Sequence, residues 1–282
     1  MNVPLEAYPL AVVSRSVFDA HLCSLAESAG ARIVEGRFRG LDGNSAEIVT
    51  PSGLLSVEAK QIVAADGVHS KVRRLLTGKL PDRVLTLYAK VPDTVAGGCG
   101  FRFGKAVAPG HYAWAFVHAE GSHIGLAAND EKAIHAHFGT FCRELGLKEI
   151  PNPKGYYIPR WKDDLYHMGN VYFVGDAAGQ VLPFTYEGIY YAMRSAAYAA
   201  EAILHGEPER YRTLWQANLQ RRFRAMNVLQ KLLLRWDRTA EKMVRLQDKP
   251  AVRAAAMRIL SGRSVPASSF QTLVKGVKLL FR

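Results

Sequence analysis

Residues 171–195 place the strongest constraint on how this chain can fold. They open with four apolar residues, and so short an apolar run predicts a buried β-strand. The strand ends at Gly175 and Asp176, a loop of small residues contains Pro183, and a helical pattern begins at Glu187. The first N–H groups of a helix favour negative charge, so the segment suits a ligand site. An ordinary buried strand–loop–helix unit fits the spacing equally well.

A second short apolar run, residues 61–65, ends in Asp66 and Gly67. Ser70 and Arg73 follow at fixed spacing, and the pattern predicts a strand, a turn and then a helix. Taken alone, the Asp-Gly pair is typical of a turn.

Aromatic residues alternate along a third segment, residues 109–117. Tyr112, Trp114 and Phe116 stand two positions apart, so a strand places them on one face. Such a face forms either an aromatic sheet core or the lining of a site for an apolar ligand.

These segments resemble motifs of the geranylgeranyl reductase family, a branch of the p-hydroxybenzoate-hydroxylase-like flavoproteins. Residues 175–195 are similar to the second FAD-binding motif of that group, and residues 65–73 are similar to its Asp-Gly motif. Residues 109–117 resemble the reductase motif Pro-x-x-Tyr-x-Trp-x-Phe-Pro, with Val117 in place of the last proline. Residues 15–22 resemble the family's Arg-x-x-Phe-Asp-x-x-Leu helix.

The resemblance implies an α/β fold. Its core is an FAD-binding, Rossmann-like domain of the glutathione-reductase type that lacks its first βαβ unit. It carries an inserted antiparallel-sheet substrate domain and a C-terminal helical segment. We therefore expect a partial FAD-binding domain at residues 1–79 and 155–206, a substrate-binding sheet domain at 80–154, and a basic helical region at 207–282.

The resemblance also implies contacts with the cofactor and the substrate. The implied cofactor-binding residues are Arg15, Phe38, Asp66, Gly67, Gly175, Asp176, Ala177, Pro183, Gly188 and Ile189. The implied substrate-lining residues are Tyr112, Trp114, Phe116 and Tyr186. Tyr186 stands where the family usually has glycine, and no catalytic residue is implied.

The activity implied by the resemblance is that of an FAD-dependent oxidoreductase. Hydride from reduced flavin would reduce C=C bonds of an isoprenoid or prenyl lipid, with NAD(P)H or ferredoxin as the external electron donor. Three alternatives stay open. They are an FAD-dependent monooxygenase of the same superfamily, a non-catalytic membrane- or lipid-binding remnant, and a half-enzyme that needs a partner chain.

The sequence lacks the Gly-x-Gly-x-x-Gly turn that opens this kind of fold. Its only clustered glycines, at residues 97–100, lie in the expected substrate domain. We therefore expect the FAD-binding domain to be N-terminally incomplete. Three explanations are open: a longer native gene, a partner chain that supplies the missing half, and a degenerate protein.

The net charge of +12 is concentrated at the C-terminal end, where residues 221–282 hold 15 Lys and Arg against 3 Asp and Glu. The end of this region is basic and amphipathic, which predicts either a membrane-surface segment or a packed helix with a solvated basic face. No nucleic-acid reader motif accompanies the charge, so nucleic acid is not an expected partner.

Three widely spaced cysteines fit neither a disulfide framework nor a metal site, so no metal is expected. The sequence also has no apolar stretch of transmembrane length and no signal peptide at its start. We expect a cytoplasmic protein. If the basic end is a membrane-surface segment, the protein is peripheral on the inner face of the membrane.

Overall fold

A computed structural model of the chain describes residues 13–92, 95, 99–118, 121–162, 165–246 and 249–254. The chain divides into two compact units, Met1–Lys60 and Gln61–Arg282, and each is described by itself. The predicted basic amphipathic end at residues 270–282 lies outside the described residues. The pattern of residues 250–261 also predicts a helix, of which the structure describes residues 250–254, and these are helical. The finer division into domains stays a prediction.

The first unit contains one helix and one antiparallel sheet. Its elements are α1 (Arg15–Ser28), β1 (Arg37–Asp42), β2 (Ser45–Thr50) and β3 (Gly53–Glu58), with the strands in the order β1-β2-β3. Alternating apolar and polar residues at 44–58, around Pro51 and Gly53, predict a hairpin. It is confirmed between β2 and β3, because Thr50 pairs with Gly53 across the turn.

The apolar residues among positions 31–34 predict a strand there, and this prediction is wrong. These residues form no ladder with another strand in the described part of the chain, and the first strand begins only at Arg37. Ile33 and Val34 are exposed, so the short apolar run is not buried in this unit. A strand needs both a partner for its backbone and a buried face, and this segment has neither.

Within the described residues, the second unit contains eight strands, seven α-helices and a further helical segment at residues 250–254. The strands are β4 (Ile62–Ala64), β5 (Arg83–Val91), β6 (Gly100–Gly104), β7 (Ala108–His118), β8 (Gly121–Ala127), β9 (Lys154–Pro159), β10 (His167–Met168) and β11 (Val171–Phe173). The helices are α2 (Lys71–Thr77), α3 (Ile134–Glu144), α4 (Gly175–Ala178), α5 (Ile189–His205), α6 (Pro208–Trp215), α7 (Arg221–Leu233) and α8 (Asp237–Leu246).

The larger sheet of this unit is antiparallel, with strand order β6-β7-β8-β5-β9. One of its faces packs on α3, and Ala113, Ala115, Ile124 and Phe138 belong to the core between them. Since side chains alternate along a strand, the even-numbered residues of β7 point to the opposite face. The α/β class and the antiparallel sheet expected from the sequence are therefore confirmed.

The smaller sheet has the order β10-β11-β4, and β11 runs parallel to β4. The strand predicted at the start of residues 171–195 is confirmed as β11, buried at all three positions. The chain then forms the short helix α4, where the sequence predicted only a turn and a loop. The N–H of Gly179 bonds the Asp176 carbonyl, and the N–H of Gln180 bonds that of Gly175, which closes this helical turn.

The helices that follow pack around a second, aromatic-rich core. Between α6 and α7 the chain makes one π-helical turn, Gln216–Gln220. Within the described ranges, no helix combines the length and the apolar character that crossing a membrane requires. The core residues are Tyr166, Tyr172, Val174, Leu182, Tyr191, Tyr198, Ala199, Ala202, Tyr211, Trp215, Leu219, Phe223 and Met226.

Candidate active site

The Asp-Gly motif caps helix α2. One carboxylate oxygen of Asp66, Oδ2, accepts the backbone N–H groups of Lys71 at 2.7 Å and Val72 at 3.2 Å. The Ser70 hydroxyl accepts the N–H of Arg73 at 2.9 Å. The first N–H groups of a helix have no partner inside it, so these side chains supply what the backbone lacks. The spacing of Asp66 and Ser70 in the motif therefore lets both side chains cap the start of α2.

Arg73 joins this motif to the short helix α4, which follows β11. Its side chain is buried, and Nη1 donates a hydrogen bond to the carbonyl oxygen of Ala177 at 3.1 Å. Because β4 and β11 are parallel neighbours, their carboxyl ends meet at the same edge of the small sheet. Asp66 and Asp176 follow these two strand ends, which is where open α/β sheets bind ligands.

Gly175 holds the chain where it leaves β11. Its backbone lies in the left-handed region at φ +55°, and a Cβ there would stand 2.9 Å from the Cβ of Ala192 on α5. Its N–H donates to the Ser195 hydroxyl at 3.0 Å, and that hydroxyl donates to the Ala192 carbonyl at 2.8 Å. Glycine therefore lets strand and helix approach closely.

The start of α5 is open to a ligand. No side chain caps this 17-residue helix at Gly188, and Ile189 and Tyr190 are 42% and 46% exposed. A Cβ at Gly188 would lie 3.5 Å from Oδ1 of Asp176, so that carboxylate borders the helix start. The uncapped end of a long helix, next to a carboxylate, fits a ligand that carries both negative charge and hydroxyl groups.

The predicted aromatic face lies on the side of the large sheet opposite α3. The ring centroid of Tyr112 lies 5.3 Å from that of Phe101, 6.0 Å from that of Trp114 and 5.9 Å from that of Tyr186. Phe116 adds a further edge-to-face contact with Phe101 at 5.8 Å. Both phenylalanine rings are exposed, so this is a surface onto which an apolar chain can lie.

A three-residue contact, which we call the tyrosine hub, holds the loop before α5. It consists of Tyr186, His111 on β7 and Gln230 on α7. The backbone N–H of Phe184 donates to Oε1 of Gln230 at 3.2 Å, which fixes the amide so that its Nε2 donates to the Tyr186 oxygen at 2.9 Å. The Tyr186 hydroxyl bonds Nδ1 of His111.

The tautomer of His111 follows from its other partner. Arg160 donates to Oδ1 of Asn129 at 3.4 Å, and since a guanidinium can only donate, this atom of Asn129 is an oxygen. The same oxygen lies 2.8 Å from Nε2 of His111, so Nε2 carries the proton. Burial holds the pKa of His111 down at about 4, so the ring is neutral and Nδ1 accepts the Tyr186 proton.

Two residues of this loop lie in the left-handed region that favours glycine. Phe184 has φ +76° and Tyr186 has φ +55°. Such conformations cost about 1–3 kcal/mol each and persist only where the surroundings impose them. The hub supplies that constraint, together with the Tyr112 hydroxyl, which donates to the Thr185 carbonyl at 2.6 Å.

Acidification is expected to destabilise the second unit through His111. Its folded pKa of about 4 lies below the ordinary value of 6.5, so the folded state binds the proton more weakly than the unfolded state does. The stability is present above pH 6.5 and is lost as the pH falls towards 4, by up to about 3 kcal/mol. Urea unfolding at a series of pH values measures this loss.

The matched variants for this experiment are His111→Gln and His135→Gln, the second on the exposed side of α3. The first should flatten the acid limb of the stability profile, and the second should retain it. A profile in His111→Gln as steep as in the wild type would contradict the assignment.

The structure gathers most of the predicted site residues into the second unit. Arg15 and Phe38 belong to the first unit, where Arg15 forms an exposed ion pair with Asp19 at 3.0 Å and Phe38 is half-buried in β1. The predicted residues of the second unit are Asp66, Gly67, Tyr112, Trp114, Phe116, Gly175, Asp176, Ala177, Pro183, Tyr186, Gly188 and Ile189.

Sequence reasoning missed His111, Gln230 and the contact between Arg73 and Ala177. His111 precedes the Tyr of the aromatic motif, and that position was the one available signal.

A group of three or more His, Cys, Asp or Glu able to hold a metal ion does not occur in the described part of the chain.

No protein-family model matches the chain. Among curated proteins, it is 29% identical over 220 residues to the geranylgeranyl diphosphate reductase of Rhodobacter capsulatus, across 72% of this chain and 56% of that protein. It is 30% identical over 248 residues to digeranylgeranylglycerophospholipid reductase 2 of Methanothermobacter thermautotrophicus, across 77% of this chain and 64% of that protein. The chain therefore spans less than two thirds of the length of each relative.

Solved structures agree with these relatives. A geranylgeranyl bacteriochlorophyll reductase-like protein from Thermoplasma acidophilum matches 82% of this chain and 66% of its own, with a TM-score of 0.70 and 26% identity. A flavoprotein/dehydrogenase from Cytophaga hutchinsonii shares the fold over 97% of this chain and 76% of its own, with a TM-score of 0.67 and 17% identity. Sequence and fold thus agree: the chain belongs to the geranylgeranyl reductase family.

Proposed function

We propose that this chain forms the major part of an FAD-dependent oxidoreductase that reduces C=C bonds of an isoprenoid or prenyl lipid. The observation that carries the proposal is the uncapped start of α5, bordered by the Asp176 carboxylate and close to the aromatic face. The names of the two curated relatives, both prenyl reductases, support the same substrate class.

The residues present fit a flavin. The first N–H groups of α5, at Gly188 and Ile189, suit the negative charge of a reduced isoalloxazine, in the manner of an oxyanion hole. The Asp176 carboxylate suits the hydroxyls of a ribityl chain. Gly188 has no side chain, which leaves room for close approach to the backbone. When bound, a reduced flavin supplies hydride.

The aromatic face suits the substrate. Tyr112, Trp114 and Phe116 offer wide apolar contact along β7, which favours a polyprenyl chain. Tyr186 packs against Tyr112, so it lies between this face and the start of α5. We propose that these four side chains line the substrate site.

The flavin absorption spectrum tests the proposal. The chain is purified alone and with an in-frame upstream extension, and we expect the extended form to retain FAD. Absence of flavin in both forms would refute the proposal. Oxygen uptake with aromatic substrates, without alkene reduction, would point instead to a monooxygenase.

Asp176→Ala in a flavin-binding form is expected to weaken flavin affinity roughly 10- to 100-fold. The reason is that a hydrogen bond to a charged group is worth about 1.5–3 kcal/mol. Equilibrium dialysis of the flavin measures the change. Asp42→Ala, at the exposed end of β1, serves as the control and should retain wild-type affinity. Equal affinities in the two variants would remove Asp176 from the site.

The edge of the small sheet supports a further part of the proposal, that a missing strand completes the FAD-binding half. β4 is an edge strand, and Val63 on it is 45% exposed. Unpaired strand edges with apolar side chains favour pairing with another strand. We propose that a segment with the Gly-x-Gly-x-x-Gly turn, in a longer chain or in a partner, pairs there. Co-purification of a short frame from the same operon tests the partner.

We also propose peripheral attachment to an anionic membrane surface. Val228, Leu232 and Trp236 are exposed along α7 and just beyond its end, in a region rich in basic residues. Basic residues near anionic lipid each contribute about 1 kcal/mol. Flotation with vesicles of anionic phospholipid, compared with neutral vesicles, tests it.

The electron donor, NAD(P)H or ferredoxin, is identified by which one bleaches the bound flavin.

A further inference from the structure

Glu187 has a carboxyl group that forms no hydrogen bond or ion pair with any of the residues that the structure describes. It is half-buried and stands between Tyr186 of the hub and Gly188 at the start of α5. Its position is therefore the junction between the aromatic face and the proposed flavin site. An acidic group left without a partner at such a place needs an explanation.

Charged and titratable groups on three elements act electrostatically with Glu187. Tyr112 lies on β7, Tyr191 lies on α5, and Arg222 lies on α7. Burial raises the pKa of the Glu187 carboxyl to about 7, and the Arg222 guanidinium opposes this rise. A proton donor works best when its pKa lies near the working pH.

The hydroxyl groups of Tyr112 and Tyr186 already donate hydrogen bonds to other acceptors. Tyr112 donates to the Thr185 carbonyl, and Tyr186 donates to Nδ1 of His111. Burial raises the pKa of both phenols further above their usual range, which makes them poorer acids. Tyr191 is fully buried, and burial raises its pKa as well. Glu187 is therefore a stronger acid than Tyr112, Tyr186 or Tyr191.

We infer that Glu187 is the proton donor in the reduction of the C=C bond, an inference that rests on the proposed function. A reduced flavin, when bound, would supply hydride to one alkene carbon. At the other carbon a C–H bond forms as the O–H bond of the Glu187 carboxyl breaks. The carboxylate left behind is stabilised by Arg222 and by the positive end of the α5 dipole, and water returns its proton.

Infrared difference spectroscopy tests the protonation state of Glu187 without any cofactor. In the full chain we expect the C=O band of a protonated carboxyl to disappear with a midpoint near 7 as the pH rises. Glu187→Gln should lack this band, and Glu144→Gln, on the exposed side of α3, should retain it. A midpoint near the ordinary glutamate value of about 4.3 would overturn the inference.

Single-turnover oxidation of the reduced flavin by a prenyl lipid tests the chemistry. Glu187→Gln should slow it roughly 100-fold or more while flavin retention stays at the wild-type level. Glu187→Asp, which keeps the acid on a shorter stem, should restore part of the rate. Wild-type rates in Glu187→Gln would overturn the inference alone. Absence of flavin in the wild type, with and without the upstream extension, would refute the proposed function and the inference with it.

Discussion

Gly175→Ala is expected to lower the free energy of unfolding of the second unit by about 2–5 kcal/mol. The left-handed backbone at φ +55° costs about 1–2 kcal/mol for a residue with a Cβ. That Cβ would also stand 2.9 Å from the Cβ of Ala192. Relieving such overpacking costs about 1–3 kcal/mol more. Because the relief moves α5 away from β11, flavin affinity should fall along with stability, and urea unfolding and flavin titration measure the two effects.

Gly169→Ala is the matched control for this change. Its φ of +58° is nearly that of Gly175, but nothing lies within 4 Å of the position that its Cβ would take. It should therefore show the backbone cost alone, about 1–2 kcal/mol, with unchanged flavin affinity. Equal losses of stability in the two variants would mean that close packing of β11 on α5 contributes nothing.

Phe223→Ala is expected to lower the free energy of unfolding by about 3–5 kcal/mol, the usual cost of removing a fully buried aromatic side chain. The ring of Phe223 is inaccessible and lies 4.8 Å from Tyr191, 5.0 Å from Trp215 and 5.6 Å from Trp161, measured between centroids. Its loss leaves a cavity between α5 and α7, because three large rings cannot close over the space. Thermal and urea unfolding measure the change.

Val228→Ala, on the same helix, separates burial from helix propensity. Val228 is 55% exposed, so its truncation should change stability by less than about 0.5 kcal/mol. A loss below about 1 kcal/mol in Phe223→Ala would show that the aromatic core rearranges to fill the cavity.

The sequence predicted those elements that a pattern of a few neighbouring residues is enough to identify. The apolar run at β11, the turn at the Asp-Gly motif and the alternation of aromatics on β7 are local, and the structure has each of them. The same kind of signal failed at residues 31–34, because a short apolar run becomes a strand only where another strand accepts it. Whether the predicted contacts with cofactor and substrate are made stays a prediction.

The tyrosine hub could not be predicted from the sequence, and the reason is physical. Its members pair across 75 and 44 positions of the chain, so no local spacing connects His111, Tyr186 and Gln230. In the sequence, Glu187 is likewise only one residue of the second FAD-binding motif. Its unpartnered carboxyl emerges only once the sheet, the loop and α7 have been brought together.

The hub also has a consequence for the order in which this protein acquires its structure. Residues 182–188 can adopt their left-handed turns only after β7 and α7 are both in place, because side chains from those elements impose them. Contacts between distant parts of a chain form late, since the entropy of closing the intervening loops must be lost first. The loop at the proposed flavin site should therefore be among the last segments to become protected from hydrogen exchange during refolding. A protein built this way would gain the proposed binding site only when the rest of the second unit is complete, so partly folded chains would not bind the proposed cofactor.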